Sequence, residues 1–303
     1  MEMEVKILMM IRRCNKMEDL NLNCGIVFDS DLAMERRRAS TYVEGVDYKR
    51  DVCIGGVWER LKITSEAGEK NVGRPIGLYD TLTLPRMDTI MPDDIEDAKD
   101  EIARELCRMC DLCDISPERI LVVGLGNRQL TPDAIGPSSA DEVDATMHMR
   151  EEDPAMFEAL GCSEICVLCP DVTSNSGIQS AEIVKSVADA VKPTVVFAID
   201  SLASRSEERL GNTIQISSTG IIPGTGVGHR GTKIDEELLG IPVIAIGIPT
   251  VISTASLSKG MTSNSENKSC GYFVSPKGIN KIVKNGAKII GGGINQAFGI
   301  CYF

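Results

Sequence analysis

The spacing of apolar positions changes along the chain, and each change predicts a different kind of element. From 41 to 90 apolar and polar residues alternate between frequent glycines, as in Val52-Cys-Ile-Gly-Gly-Val-Trp58-Glu-Arg-Leu-Lys-Ile63 and Leu78-Tyr-Asp-Thr-Leu-Thr-Leu84. A period of two predicts strands joined by tight turns. After Pro92 the step lengthens: Ile95, Ala98, Ile102, Leu106 and Met109 recur three and four residues apart, the period of a helix that covers a sheet face. Strand-like and helical runs then alternate, with Ile120 to Val123 as strand, Ile178 to Val191 as helix, Val195 to Ile199 as strand, Glu236 to Leu239 as a short helical piece, Pro242 to Ile248 as strand and a last helix from Ile279. Such alternation predicts an α/β fold, a three-layer α/β/α sandwich with a central, mostly parallel sheet. The strands of 41–90 form a smaller β-rich appendage to it. Residues 1–31 lack a packing period and mix both charge signs, so they read as a removable leader or propeptide ahead of one domain, 32–303.

Two aspartates sit just past the apolar strand runs. The first follows Ile120-Leu-Val-Val-Gly-Leu-Gly-Asn127 in the turn Thr131-Pro-Asp133-Ala-Ile-Gly136-Pro, and the second lies in Val195-Val-Phe-Ala-Ile-Asp200-Ser-Leu-Ala-Ser-Arg205-Ser. Ligands of open α/β sheets bind in the crevice beyond the carboxyl ends of the strands, so Asp133 and Asp200 are candidates for one pocket. Two like charges held close cannot both ionise cheaply; one keeps a proton and serves as acid while the other activates water. Such a pair needs no cofactor and no metal. An aspartate after a strand is also a common helix cap, and Asp200 precedes a plausible helix from Ser201 to Arg209, where capping and chemistry could coexist. Asn127, Thr131, Ser201 and Arg205 flank the pair as candidates for substrate binding, though such residues more often tie down loops.

Composition narrows the class without choosing an activity. Aromatic residues are only 4% of the 303 residues, so the core has to be aliphatic. A formal net charge of −12 argues against a direct grip on nucleic acid. The apolar patch Ile7 to Ile11 is too short for a signal peptide or membrane span, and eleven cysteines, an odd count, read as free thiols of a reducing compartment. A cytoplasmic protein without membrane partner is therefore expected. Cys162, Cys166 and Cys169, and separately Cys107, Cys110 and Cys113, have spacings that keep an iron–sulfur or redox reading open. The second trio lies inside the predicted helix, which spreads it around the helix surface. With only His148 and His229 in the chain, nucleophile–histidine triads have little to build on. Gly124-Leu-Gly-Asn-Arg-Gln129 fails as a dinucleotide fingerprint at its sixth position, and Pro132 interrupts the helix that should follow. Gly226-Val-Gly-His-Arg-Gly231-Thr-Lys has phosphate-loop glycines with Thr and Lys in the wrong order, and reads instead as a flap or substrate loop.

Several segments together resemble the germination proteases of spore-forming bacteria: Gly124-Leu-Gly-Asn127, Thr131-Pro-Asp-Ala-Ile-Gly-Pro137, Ala198-Ile-Asp-Ser-Leu-Ala-Ser-Arg-Ser206, Asn212-Thr-Ile-Gln-Ile-Ser217, Gly220-Ile-Ile-Pro-Gly-Thr-Gly-Val-Gly228 and Leu239-Gly-Ile-Pro-Val-Ile-Ala-Ile-Gly-Ile-Pro-Thr250. The resemblance runs over most of the chain, more weakly through Gly73-Arg-Pro-Ile-Gly-Leu-Tyr79, Tyr272-Phe-Val-Ser-Pro-Lys277 and Gly291-Gly-Gly-Ile-Asn-Gln-Ala297. It implies an aspartic-type endopeptidase of the spore interior, made as a zymogen and assembled as a homo-oligomer, a tetramer. Its implied substrates are the small acid-soluble proteins that coat spore DNA. The positions matching the family's proposed catalytic aspartates are Asp133 and Asp200. Phe28-Asp-Ser-Asp-Leu-Ala-Met-Glu35 resembles the family's self-processing region, with the cut expected between Asp31 and Leu32, and Asp31-Leu-Ala33 resembles the acidic-aliphatic-Ala pattern of the substrates. The chain departs from the family between Thr250 and Gly271, where a short polar stretch stands in place of a longer one and Ser253 stands where an Asp is expected. The Gly-x-Gly-Asn and aspartate arrangement also resembles, more distantly, the hydrogenase maturation endopeptidases. That resemblance implies a metal-assisted alternative with Asp133 and Asp200 as ligands.

Overall fold

The computed structural model describes residues 30–36, 43–224, 231–254 and 272–300. Residues 1–29 of the expected leader, residues 225–230 of the glycine loop with His229, and the polar stretch 255–271 lie outside the described residues. One sheet organises the fold. Its strands are β1 (Val46–Cys53), β2 (Gly56–Ile63), β3 (Gly77–Thr83), β4 (Arg119–Gly124), β5 (Glu164–Leu168), β6 (Val195–Ser204), β7 (Thr213–Ser217), β8 (Val243–Ser253) and β9 (Phe273–Val274), in the order β1-β2-β3-β7-β8-β6-β4-β5, with β9 paired to β8. The run β8-β6-β4-β5 is parallel. The β-rich region expected at 41–90 is an antiparallel extension, joined edge to edge through β3 and β7.

Alternation along the parallel strands explains the three layers. Ile120, Val122, Phe197, Ile199, Ile244 and Ile246 face one way, onto Ala98, Ile102 and Leu106 of α2 (Pro92–Leu112) and Ile282, Ile289 and Ile290 of α5 (Ile279–Phe298). Leu121, Val123, Val196, Ala198 and Val243 face the other way, onto Ala181, Val184 and Ala188 of α4 (Ser180–Val191). Strands covered on both faces must be apolar throughout, as these are. Each such Val or Ile removed from water contributes roughly 1.5–3 kcal/mol. Among the shorter helices, α1 (Glu66–Val72) lies between β2 and β3, and α3 (Ile135–Ala140) follows the Asp133 turn; the short piece expected at Glu236–Leu239 is also helical. α2 starts with Pro92 at its first position and Asp93 and Asp94 in its first turn, which suit the positive end of a helix.

One expectation changes, and two strands were not anticipated. The helix from Ser201 to Arg209 is absent: β6 runs on to Ser204 because Ser201, Leu202, Ala203 and Ser204 keep pairing with β8, and only a turn of 3-10 helix, Glu207–Arg209, follows. Asp200 is therefore a strand residue and not a helix cap. β5 and β7, each five residues long, are too short for their alternation to have stood out.

Candidate active site

Loop geometry after β4 positions Asp133. The Leu125 N–H still donates to the Ile199 carbonyl at 2.8 Å, and the chain then swings over Asp133 through Gly126 at φ +111°. A Cβ on Gly126 would come within 2.1 Å of the Asp133 carbonyl oxygen, so only glycine permits this crossing. From there the Asn127 N–H donates to Asp133 Oδ2 at 2.9 Å, and the Asn127 side chain closes its own turn by accepting from Gln129 N–H. Thr131–Asp133 forms a 3-10 turn, its Pro132 carbonyl held by Thr250 Oγ1 at 2.6 Å. Asp133 is half-buried at the lip of the sheet.

Asp200 belongs to a row that crosses three strands. It pairs with Gly247 of β8, and Gly247 pairs with Gln215 of β7. Residues opposite one another share a face, so the Asp200 and Gln215 side chains rise from the same side of the sheet, two strand spacings or roughly 10 Å apart. Gly247 between them carries no side chain, and Leu202 packs over it: a Cβ there would strike Leu202 Cγ at 2.6 Å and the Asp200 carbonyl oxygen at 2.8 Å. Ser217 and Ala245, paired in the adjoining row, deepen the hollow. The result is a cavity of about 100 Å³ lined among others by Asp31, Arg74, Asp200, Ser201, Gln215 and Lys233.

Asp200 is 4% exposed. Burial, then the charge of Asp133, then that of Asp31 push its carboxyl well above the usual carboxylate range, against N–H groups of Ser201 and Gly224 that favour the charged form. Ser201 N–H donates to Asp200 Oδ1 at 2.8 Å. Its surroundings thus favour the protonated form of Asp200 beside a second, more accessible carboxyl, the asymmetry that acid–base hydrolysis requires.

Residues 30–36 occupy the cleft. β4 stops pairing with β6 at Ile199, leaving one edge of the rest of β6 open. The register of β6 against β8 shifts between Leu202 and Ala203. At that point Asp31 N–H donates to the Ala203 carbonyl at 3.0 Å, and Ala203 N–H donates to Asp31 Oδ2 at 2.9 Å. Arg74 donates to the Ser30 carbonyl at 2.6 Å and lies 3.8 Å from Asp31 Oδ1. Downstream, the Glu35 carboxylate accepts from the N–H groups of Arg205 and Ser206. Leu32, Ala33 and Met34 are buried, the latter two among Leu61, Ile63, Val72 and Tyr79.

Of the residues singled out from sequence, Asp31, Asp200 and Ser201 line the cavity, and Asp133 lies close enough for its charge to bear on Asp200. The Ser201 hydroxyl is buried without a hydrogen-bond partner among the described residues. Asn127 and Thr131 belong to the loop that carries Asp133, and Arg205 is exposed, fixed to Glu35 through its backbone. Arg74 and Gln215 escaped sequence reasoning. Both lay inside segments of the resemblance, but strand register brings Gln215 to the cleft and the turn between α1 and β3 brings Arg74 there. The cysteines are occupied separately: Cys166 Sγ donates to the Ile120 carbonyl at 3.4 Å, and Cys169 accepts from Arg128 at 3.8 Å. Burial raises the Cys166 thiol to about 11 and the Cys110 thiol to about 12. Among the described residues no three His, Cys, Asp or Glu side chains converge as a metal site. No helix among them is long and apolar enough to cross a membrane.

Comparison with known proteins bears on the same residues. A family model described as germination protease matches residues 27–263. The germination protease of Caldanaerobacter subterraneus subsp. tengcongensis is 36% identical over 306 residues, covering 88% of this chain and 93% of that protein. That of Clostridium perfringens is 34% identical over 314 residues, covering 88% and 94%, and that of Clostridium tetani 40% over 204 residues, covering 66% and 62%. Among solved structures, the hydrogenase maturation protease HycI of Thermococcus kodakarensis KOD1 aligns with a TM-score of 0.34 and 18% identity over 61% of this chain and 99% of that one. With a matched region that takes in Asp31, Asp133 and Asp200 and relatives a third identical over most of their length, the chain belongs to the germination protease family.

Proposed function

We propose that this chain is an aspartic-type endopeptidase that hydrolyses small acid-soluble spore proteins during germination, and that it is made as a zymogen whose own Asp31–Leu32 bond is the first one cut. Membership of the germination protease family makes it a peptidase. The finer reading is carried by one observation: Asp31, at the acidic-aliphatic-Ala sequence, is buried in the cavity of Asp200, near enough for its charge to bear on that carboxyl. In this reading Asp133, the more accessible of the pair, takes a proton from water as the water oxygen bonds to the Asp31 carbonyl carbon. Asp200, which retains a proton, donates it to the carbonyl oxygen. As the C–N bond breaks, Asp133 passes the proton it took from water to the leaving Leu32 nitrogen, and Asp200 recovers its proton from the hydroxyl whose oxygen becomes the new carboxyl carbonyl. Residence in the spore interior and assembly as a homo-oligomer, a tetramer, belong to the same proposal.

Incubation of the purified chain at mildly acidic pH should produce a new N-terminus at Leu32, after which it should cleave a small acid-soluble spore protein. A mature product starting elsewhere would remove Asp31 as the processing site. Cleavage should also persist in EDTA. Loss in the chelator, restored by added metal, would instead make Asp133 and Asp200 ligands of a metal-assisted peptidase.

A further inference from the structure

The buried carboxamide of Gln215 spans the bond in question. Gln215 Nε2 donates to the Asp31 carbonyl at 3.2 Å, and Gln215 Oε1 accepts from Ala33 N–H at 2.8 Å. Both interactions fix the amide orientation, since the carbonyl needs a donor and the N–H an acceptor. They supply one donor and one acceptor, two residues apart and on the two sides of Leu32, where the chain bends at Asp31 and enters the 3-10 turn Ala33–Arg36. Gln215 is 7% exposed and stands on the same face and in the same row as Asp200, with Gly247 between them.

We infer that Gln215 is the residue that seats the substrate backbone across the scissile bond and polarises its carbonyl oxygen toward attack. This inference rests on the reading of Asp31–Leu32 as the processed bond. Water adds to a carbonyl carbon that Gln215 Nε2–H approaches from the oxygen side, so the hydrogen bond strengthens as negative charge gathers on that oxygen. Removing one donor of this kind lowers a turnover rate by about 10²–10³-fold. Because the grip is on backbone atoms, it applies equally to a separate substrate strand. Gln215 carries no side-chain preference; Arg74, beside Asp31, and the apolar surroundings of Ala33 supply those.

The test uses the full chain and follows the first-order appearance of the Leu32 N-terminus across pH. Gln215→Met removes both hydrogen bonds and should slow cleavage about 10²–10³-fold at every pH. Gln215→Glu keeps the acceptor for Ala33 N–H but donates to the Asp31 carbonyl only when protonated, so its cleavage should be slow at neutral pH and recover toward the rate of the unsubstituted chain in acid. A merely structural role for Gln215 would leave the shape of the pH profile unchanged. The inference is overturned if Gln215→Met cleaves within threefold of the unsubstituted chain, or if Gln215→Glu keeps its pH profile; should the Met variant fail to fold, the Glu profile decides. Asp200→Asn, run in parallel, separates the two levels. Continued cleavage at Leu32 in that variant defeats the aspartate reading itself, whereas its loss alongside normal Gln215 variants defeats only the inference about Gln215.

Discussion

Asp133→Asn and Asp200→Asn each lose peptide cleavage by about 10²–10⁴-fold, the usual range for one positioned acid or base, and Asp200→Asn melts at a higher temperature than the unsubstituted chain at neutral pH. The second half of this expectation follows from the carboxyl's surroundings. Burial and two neighbouring acids raise the folded-state pKa of Asp200 well above its unfolded value. A raised pKa contributes stability that is fully present below the unfolded value, about 3.9, and is lost as pH rises through the folded value. Asparagine does not titrate, so its advantage is absent near pH 3 and grows on approach to neutrality. Rates on a small acid-soluble spore protein and melting curves at pH 3.5 and 7.5 check both parts. Near-full activity in either variant would end the acid–base reading, and equal melting shifts at the two pH values would end the electrostatic one. The stability gained where activity is lost is the trade-off expected of a site that holds charge out of water.

Arg108→Met is expected to cost about 3 kcal/mol, for a reason remote from the cleft. On the other face of the sheet, Asp80 of β3 and Glu105 of α2 are 1% and 2% exposed. Arg108 hydrogen-bonds to both of them, and Arg60 pairs with Glu105 at 2.6 Å. Burial, then Glu105, raises the Asp80 carboxyl above the usual range; burial likewise works against ionised Glu105, but the hydrogen bonds from Arg60 and Arg108 outweigh it and hold Glu105 low. The two acids thus share one proton, borne by Asp80. Removing a cation they have in common leaves buried charge uncompensated, the situation that costs about 3–5 kcal/mol, taken at the low end because Arg60 remains. Asp80 stability is greatest in acid and falls as pH rises through its raised pKa, so the Arg108→Met penalty should be larger at pH 8 than at pH 5. Urea unfolding at both values measures it, with a midpoint shift at unchanged slope; a penalty independent of pH would show that Arg108 acts only by packing its stem.

The periodic parts of this fold were legible because one force shaped them. Ile95, Ala98, Ile102, Leu106 and Met109 mark α2 with no other information, and the unbroken apolar runs of β4, β6 and β8 announce strands covered on both faces. Asp200 misled at short range: Ser201 to Arg209 has the composition of a helix start, and only pairing with β8 keeps it extended. Gln215 carried no chemical signal at all. In Thr213-Ile-Gln-Ile-Ser217 it is the polar position of an alternating strand, and its place opposite Gly247 depends on partners over thirty residues away in sequence. Asp133 stood out by its place just past a strand run and Asp31 through the resemblance, but the burial of Asp31 against Ala203 depends on an open strand edge that no local pattern encodes.

That open edge has a kinetic consequence. Residues 30–36 are a ligand tethered to their own receptor, and a short tether holds such a ligand at an effective concentration on the order of millimolar. Breaking the Asp31–Leu32 bond releases only part of it. The hydrogen bonds of Asp31 with Ala203 depart with the leader, while Ala33 on Gln215 and Glu35 on Arg205 and Ser206 remain on the retained side. A chain processed as proposed would begin as a complex with its own first residues, which an incoming protein strand has to outcompete; on that reading the cut is a permission, and the displacement that follows sets the pace.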